Sequence, residues 1–496
     1  MSSAIPSKAK SCYNCRRRKV KCDGARPICG HCLKTPTGRD DCQYLEDGPS
    51  QADMLEAQVA ALEDRLAKLQ GPGEPITLFN PHQRRAQQPS LPPSSREARA
   101  ATVVDEPPQQ TARALLNAFA VHSSQIGFFM DRQRFLGRFS SPMGHHDRPA
   151  PSLLHAVNLW GSRFSHGGVD GYREQQFLVA ALHHLPKDLA KSHPLYLLDI
   201  IQAEILVSFY FLELGKSVDG LYHSNTAISL CLGARLNLVH SPDPNAAPPT
   251  EPALDAERVR AFWNCLILDN YWCIAHGSAS ALESIKIDTP WPEEAPIARY
   301  SRDTVTDWLK GSSAGGTSLL SLNAKAAILM QRTTTMMARN RLDPNARPSP
   351  AVAAELTALD GALQATRSQL FHLDRYRRDM QVVISDALIC ASLTRLHISY
   401  VNSSPVSRTK CVAAVDAVAN TARGLRPHDV AWVSPIMATL WTVVAEVSLL
   451  LPDTNQGSLM GRSGAKAVLS AMVAYASTAD GVMVSHHHHL KSSVST

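Results

Sequence analysis

Six cysteines crowd into one short stretch near the N-terminus: Cys12, Cys15, Cys22, Cys29, Cys32 and Cys42, separated by two, six, six, two and nine residues. Two C-x-x-C pairs are each able to clamp a metal ion. Zinc takes four ligands in structural sites, so two zinc ions want eight, and six thiolates suffice only when two are shared. A binuclear cluster with two bridging sulfurs meets that count, with a formal charge of about −2. Three disulfides would instead suit a secreted miniprotein. One structural zinc would leave two cysteines spare, and an iron–sulfur site uses different spacings.

Basic residues are threaded between these cysteines, most densely in "CYNCRRRKVKC". Residues 8 to 42 hold ten Lys or Arg against three acids, a balance of +7 against +6 for the whole chain, so the remaining chain is close to neutral at −1. The basic insert offsets the thiolates and leaves a positive surface, which points to a polyanion as partner of this unit alone. The other five cysteines (Cys231, Cys265, Cys273, Cys390, Cys411) are scattered through apolar stretches, and "MSSAIPSKAKS" lacks the apolar core of a secretory signal. Both features favour a reducing compartment, where thiols bind metal rather than each other.

The stretch "CYNCRRRKVKCDGARPICGHC" resembles the DNA-binding motif of the fungal binuclear zinc-cluster transcription factors, and the likeness runs from residue 12 to residue 42 with no ligand missing. The family's basic pattern is matched by Arg16, Arg18, Lys19, Val20, Lys21, Cys22 and Asp23, and Pro27 falls in the loop between the two metal-binding halves. The resemblance implies two zinc ions held by the six cysteines, with Cys12 and Cys29 as the bridging thiolates. It also implies a short helix after Cys12 that directs Arg18 and Lys19 to base edges in the major groove, while Arg16, Lys21 and Lys34 meet phosphate. Arg and Lys donate well to the O6 and N7 of guanine, so G·C-rich, CGG-like half-sites are expected. The same basic run can serve as a nuclear-localisation signal.

These residues need elements to position and pair them. After the linker "QYLEDGPSQ", residues 52–70 repeat at heptad spacing, with Ala52, Val59 and Leu66 at one seam position and Leu55, Leu62 and Leu69 at the other. Leu55, Val59, Leu62, Leu66 and Leu69 are therefore the expected interface of a parallel two-stranded coiled coil, although under three heptads is marginal alone. The same pattern would also suit one amphipathic helix docked on the rest of the chain. Residues 71–110, with eight prolines, read as a disordered linker that favours pairing over docking.

From residue 111 to about 480 the pattern is helical. Expected helices include 151–164, the stretch opened by Pro194 and closed near Gly215, 219–236, 254–276, 319–341, 351–372, 380–402, 410–424, 431–451 and 464–477. Pro at the first turn and Gly beyond the last mark their ends. The apolar run 431–451 has the length of a membrane span, but Pro435 and Glu446 argue for a buried core helix, and the chain is read as soluble. The motifs "LLNAFAVHSSQIGFFM", "LLHAVNLWGSRFS", "HPLYLLDIIQAEILVSFYF", "GLYHSNTAISLCLGARL", "RAFWNCLILDNYWCIAHGSASAL" and "IDTPWP", in this order, resemble the all-helical middle homology region of the same family, closest to its basidiomycete members.

The expected architecture is mostly α: a zinc-cluster domain (8–46), a coiled-coil helix (52–70), a disordered linker (71–110), an all-α regulatory domain (111–480) and a tail (481–496). No Gly-rich phosphate loop, nucleophile elbow or two-histidine metal helix appears, so no enzyme activity is expected. Asp269 and Glu204 read as buried partners of Arg or backbone, Cys265 and Cys273 as core cysteines, and the tract His486 to His489 as solvated tail. The resulting expectation is a nuclear, zinc-dependent, sequence-specific regulator of RNA polymerase II transcription. Its partners would be double-stranded DNA, a second copy of itself and co-regulators or the transcription machinery, with no membrane. The competing expectation is a zinc-dependent protein-interaction module, or a thiol or metabolite sensor, without DNA sequence specificity.

Overall fold

The computed structural model describes residues 11–35, 42, 44, 60, 106–165, 174–191, 194–239, 252–293, 305–311, 315–339, 349–373, 379–425, 432–451 and 466–473. The chain divides into two compact units, Met1–Ser95 and Arg96–Thr496. Among the described residues there is no strand. Residues Leu55, Val59, Leu62, Leu66 and Leu69, the expected dimer seam, lie outside the described residues, as does nearly all of the expected linker.

The smaller unit has two helices of barely one turn, α1 (Tyr13–Arg17) and α2 (Gly30–Leu33). Its interior is sulfur: Cys12, Cys15, Cys29, Cys32 and Cys42 are buried, with Val20, Cys22, Ile28 and Tyr44 packed against them. A unit this small cannot bury enough hydrocarbon to fold on that alone.

The larger unit is a helical assembly around one continuous core. Its first group comprises α3 (Gln109–His122), α4 (Arg132–Phe139), α5 (Pro151–Phe164), α6 (Glu174–Leu189), α7 (Pro194–Glu213) and α8 (Ser217–Gly233). The long α9 (Pro252–His276) packs on α7 and α8 and also on α11 (Leu319–Arg339), so it joins that group to the second. The second group continues with α10 (Val305–Leu309), α12 (Pro350–Phe371), α13 (Met380–His397), α14 (Pro405–Gly424) and α15 (Ile436–Leu450), and residues 466–473 are helical as well.

Helix α7 is apolar on every face because it is surrounded by α5, α6, α8 and α9, and its few polar side chains each hold a neighbour. Arg138 donates to both carboxylate oxygens of Asp199 at 2.8 and 2.7 Å, and the N–H of Ala150 donates to the same carboxylate. Gln202 accepts from the N–H of Phe129 and donates to the carbonyl of Gly127. Glu213 accepts from Arg163 at 2.9 Å. Burial pushes the Asp199 and Glu213 carboxyls up while the paired guanidinium pulls against it, the pattern of structural pairs that orient elements. Glu204 also has a buried partner, but it is His223 at 2.5 Å rather than an arginine or backbone group. Asp269 accepts from Ser280 and from the backbone of Ala281.

The "IDTPWP" stretch stitches α8 to α9. Asp288 N–H donates to the Asn237 carbonyl at 2.8 Å, Trp263 Nε1 donates to the Pro290 carbonyl at 2.7 Å, and the Trp263 and Trp291 rings stack at 4.3 Å. Helix boundaries depart from expectation in physically readable ways. Helix α14 begins at Pro405, five residues before the expected Lys410, because the Ser404 hydroxyl caps the N–H of Ser407. Helix α15 begins only after Pro435, so it is shorter than the expected run, and nearly all of it is buried. The segment Met380–Tyr400 is long and apolar enough to cross a membrane by composition, yet 72% of its apolar window is buried inside this assembly, as a core helix requires.

Close helix contact at Gly161 offers a test of this packing. A Cβ there would lie 2.3 Å from the carbonyl oxygen of Leu115 in α3, and backbone cannot rotate away. Gly161→Ala should therefore destabilise the larger unit by about 1–3 kcal/mol in urea unfolding. An unchanged midpoint would show that α3 and α5 are not in this contact.

Candidate metal centre and nucleic-acid interface

The C-x-x-C spacing builds the same local structure twice. Cys12 and Cys29 are the N-caps of α1 and α2, with extended backbone (φ −64° and −69°), and each Sγ accepts the N–H of the second cysteine of its pair at 3.4 Å. The N–H of Cys12 in turn donates to Cys22 Sγ at 3.5 Å, and the N–H of Cys29 donates to Cys42 Sγ at 3.3 Å. Both helices close by the same bond, Arg16 N–H to the Cys12 carbonyl at 3.0 Å and Leu33 N–H to the Cys29 carbonyl at 2.9 Å. The two halves are thus an approximate structural repeat in which Cys12 corresponds to Cys29, Cys15 to Cys32 and Cys22 to Cys42.

The repeat brings the sulfurs together. Cys12 Sγ lies 3.8 Å from both Cys29 Sγ and Cys32 Sγ, and Cys15 Sγ lies 3.6 and 3.9 Å from the same two atoms. A zinc–sulfur bond of about 2.3 Å gives a regular tetrahedron an edge of roughly 3.8 Å, so this sulfur set fits the ion in spacing as well as in chemistry. Cys22 Sγ falls within reach of Cys29, and the half-buried Cys22 is the most accessible of the six sulfurs. Five of these thiols are shifted, in opposite directions. Burial pushes each up, but at Cys12 and Cys29 the N–H donors of Cys15 and Cys32 and neighbouring thiols outweigh it, bringing Cys12 below the ordinary thiol value and Cys29 to about 6. Burial prevails at Cys15 and Cys32, and carries Cys42 to about 12. The two corresponding residues of the repeat are therefore the readiest thiolates.

Three further side chains hold the cage. Asp23 accepts the N–H of Gly30 with both carboxylate oxygens, at 3.1 and 2.9 Å, and a Cβ on Gly30 would sit 2.5 Å from it. Asn14, buried in α1, donates to Cys32 Sγ at 3.5 Å across the repeat. Tyr44 donates from its phenol to the Ala25 carbonyl at 2.8 Å, stands 3.7 Å from Cys22 Sγ, and carries the Arg26 guanidinium 5.0 Å over its ring. Sequence reading did not single out Asn14, Gly30 or Tyr44, because a lone polar or aromatic residue beyond a ligand pattern carries no spacing signal.

The basic residues lie on the outside of this cage. Arg16, Arg18, Lys19, Lys21 and Lys34 are all exposed. Arg16 is in the last turn of α1, Arg18 is its C-cap, and Lys34 is the C-cap of α2. Lys19 adopts φ +53°, the left-handed region usually left to glycine. Its N–H donates to the Arg16 carbonyl at 3.3 Å, and the N–H of Val20 donates to the Cys15 carbonyl at 3.0 Å, which together make a Schellman closure. That reversal returns Val20 to the sulfur core while Arg18 and Lys19 stay in solvent.

Because Tyr44 shields the most accessible sulfur, Tyr44→Phe should weaken zinc retention severalfold, the loss of about 0.5–1.5 kcal/mol expected for one hydrogen bond. Competition against a chromogenic chelator measures it. Retention equal to the parent would assign the phenol no part in holding Cys22.

Comparison with known proteins matches two segments to domain families: residues 10–49 to the Fungal Zn(2)-Cys(6) binuclear cluster domain, and residues 119–337 to the Fungal specific transcription factor domain. The Notoamide biosynthesis cluster transcriptional coactivator notQ′ of Aspergillus versicolor is 27% identical over 287 residues, 53% of this chain and 52% of that protein. The citrinin biosynthesis transcriptional activator of Monascus ruber is 39% identical over 75 residues, 14% of each chain. Oleate activated transcription factor 3 of Kluyveromyces lactis is 42% identical over 57 residues, 10% of this chain and 8% of that protein. The chain thus spans about half the length of the first of these relatives and far less of the others. The cluster domain of this family takes two zinc ions, for which the sulfur spacing here is suited. With both domains in family order and the sulfurs at zinc-binding distances, the chain belongs to the fungal zinc-cluster transcriptional regulators, a family of transcription factors and not of enzymes.

Proposed function

We propose that this chain is a nuclear, sequence-specific DNA-binding regulator of RNA polymerase II transcription whose recognition surface is the end of α1. The observation that carries the reading is the left-handed Lys19. A glycine would close this helix at no steric cost, yet the position holds a long cation beside Arg18 on a face with no core to serve. The sulfur cage fixes the backbone from which these two side chains project, so their aim at a groove is set before binding. Arg18 and Lys19 are assigned to guanine edges in G·C-rich, CGG-like half-sites, and Arg16, Lys21 and Lys34 to phosphates.

Two zinc ions, held by Cys12, Cys15, Cys22, Cys29, Cys32 and Cys42, would supply the crosslink between the halves. The equivalence of Cys12 and Cys29 in the repeat supports these two as the shared ligands. The heptads of residues 52–70, with Leu55, Val59, Leu62, Leu66 and Leu69 at the seam, would pair two copies of the chain over two half-sites. The helical unit would meet co-regulators or the transcription machinery.

Lys19→Gly separates fold from recognition. Glycine tolerates φ +53°, so the cage should keep its zinc and its helices, while affinity for a CGG-containing duplex should fall by roughly tenfold or more, the loss of about 1–3 kcal/mol expected for one good base contact. The parent's affinity should also fall steeply with salt, in proportion to the phosphates neutralised. Binding that ignores sequence and survives Lys19→Gly would instead support a zinc-dependent protein-interaction module. Pairing is tested by Leu62→Pro, which breaks the heptad helix and should abolish cooperative binding to paired half-sites while sparing single-site binding. Cooperativity that persists would move dimerisation elsewhere in the chain.

A further inference from the structure

A cavity of about 630 Å³ opens in the larger unit between α9, the segment 280–287, α10, α11 and α12. Its volume falls in the range of small-molecule sites. Leu266, Leu282, Ile328, Met336 and Leu359 line it, all buried, so part of its wall is apolar. Asn270 also lines it and is only 4% exposed. Its Nδ2 donates to the Leu266 carbonyl, but among the described residues its Oδ1 accepts no hydrogen bond. That oxygen is open to the cavity, an acceptor available to a donor that enters it.

The opposite polarity lies at the rim. Arg339 is paired with Glu283 at 3.2 Å and Lys286 with Asp288 at 3.3 Å. Arg332, an exposed residue that also lines the cavity, makes no ion pair within 4 Å among the described residues. Partial burial pulls its guanidinium below its usual range, and the carboxylates of Glu283 and Glu355, which also line the cavity, act in the opposite direction. A planar guanidinium at the edge of a cavity with one apolar wall is suited to a bidentate carboxylate.

We propose that this cavity binds a small amphipathic organic acid, its apolar body against Leu266, Leu282 and Leu359, its acidic group on Arg332, and a hydroxyl or N–H donor on Asn270. This goes beyond the DNA-binding reading and does not depend on it, since the cavity lies wholly within the larger unit.

The test uses the full zinc-loaded chain and the fluorophore 1-anilinonaphthalene-8-sulfonate, which joins an aromatic body to one anionic group. The expected result is one saturable site whose affinity falls about tenfold in Arg332→Gln and is lost in Ala362→Phe, which fills the cavity. Thr335→Phe, from the facing helix, fills it from the other side should Ala362→Phe fail to fold. Circular dichroism and melting of each variant check that the helical unit is intact. Decanoate should displace the probe and decyltrimethylammonium should not. Non-saturating binding, binding unaffected by Arg332→Gln and either filling variant, or equal displacement by the ammonium would overturn the proposal.

Discussion

The small unit depends on sulfur standing where hydrocarbon would stand in a larger domain. Its buried cluster is five cysteines, and its two helices are too short to persist by themselves. Sulfurs at 3.6 to 3.9 Å that must become thiolates repel one another, so their approach is favourable only with a cation among them. The N–H groups aimed at Cys12 and Cys29 supply part of that compensation from the backbone itself. The interleaved arginines and lysines supply more from outside. In such a unit, metal binding and folding are a single event.

The same constraint explains why the chain reverses at the end of α1, where Arg18 and Lys19 stand exposed. A helix of five residues has no length to spare, so the chain must turn back at once for Val20 to reach the sulfur core. The turn demands a left-handed residue at position 19, and lysine takes it at a steric cost on the order of 1 kcal/mol. That cost is sustained by the cage around it, since both neighbours of the turn are tied to cysteines: Val20 to the Cys15 carbonyl, and the start of α1 to Cys12. Strain of this kind is tolerated where the side chain serves something other than stability.

What could be read from the sequence follows from which interactions are local. Ligand spacing was legible because metal ligation fixes side-chain number and separation within one short stretch. Helices with proline at the start and glycine after the end were legible for the same reason, as at Pro151, and at Pro194 with Gly215, which adopts φ +69°. Helix α6 was not anticipated: Pro186 and a polar run of histidines hide it, and its buried face shows only against α5 and α7. Helix α4 was missed because it is short and strongly polar, held by the Asp131 cap and by the reach of Arg138 to Asp199. Tyr44, Asn14 and the pairing of Glu204 with His223 are long-range contacts, which no local pattern encodes.

In the larger unit the buried charges are concentrated where helices must be oriented rather than merely packed. Helix α7 could slide or rotate among apolar neighbours, since hydrocarbon contact is not directional. Asp199, Gln202, Glu204 and Glu213 each engage a different partner element, and together they fix both its rotation and its register. An apolar replacement of such a pair can be as stable, so their value lies in specifying one arrangement. Around α9 the economy is different: Asn270 keeps an unfilled acceptor and Arg332 an unfilled cation, both facing one cavity. The polar side chains of α7 are spent on neighbouring elements, whereas the Asn270 oxygen and the exposed Arg332 guanidinium remain available to a molecule that enters the cavity.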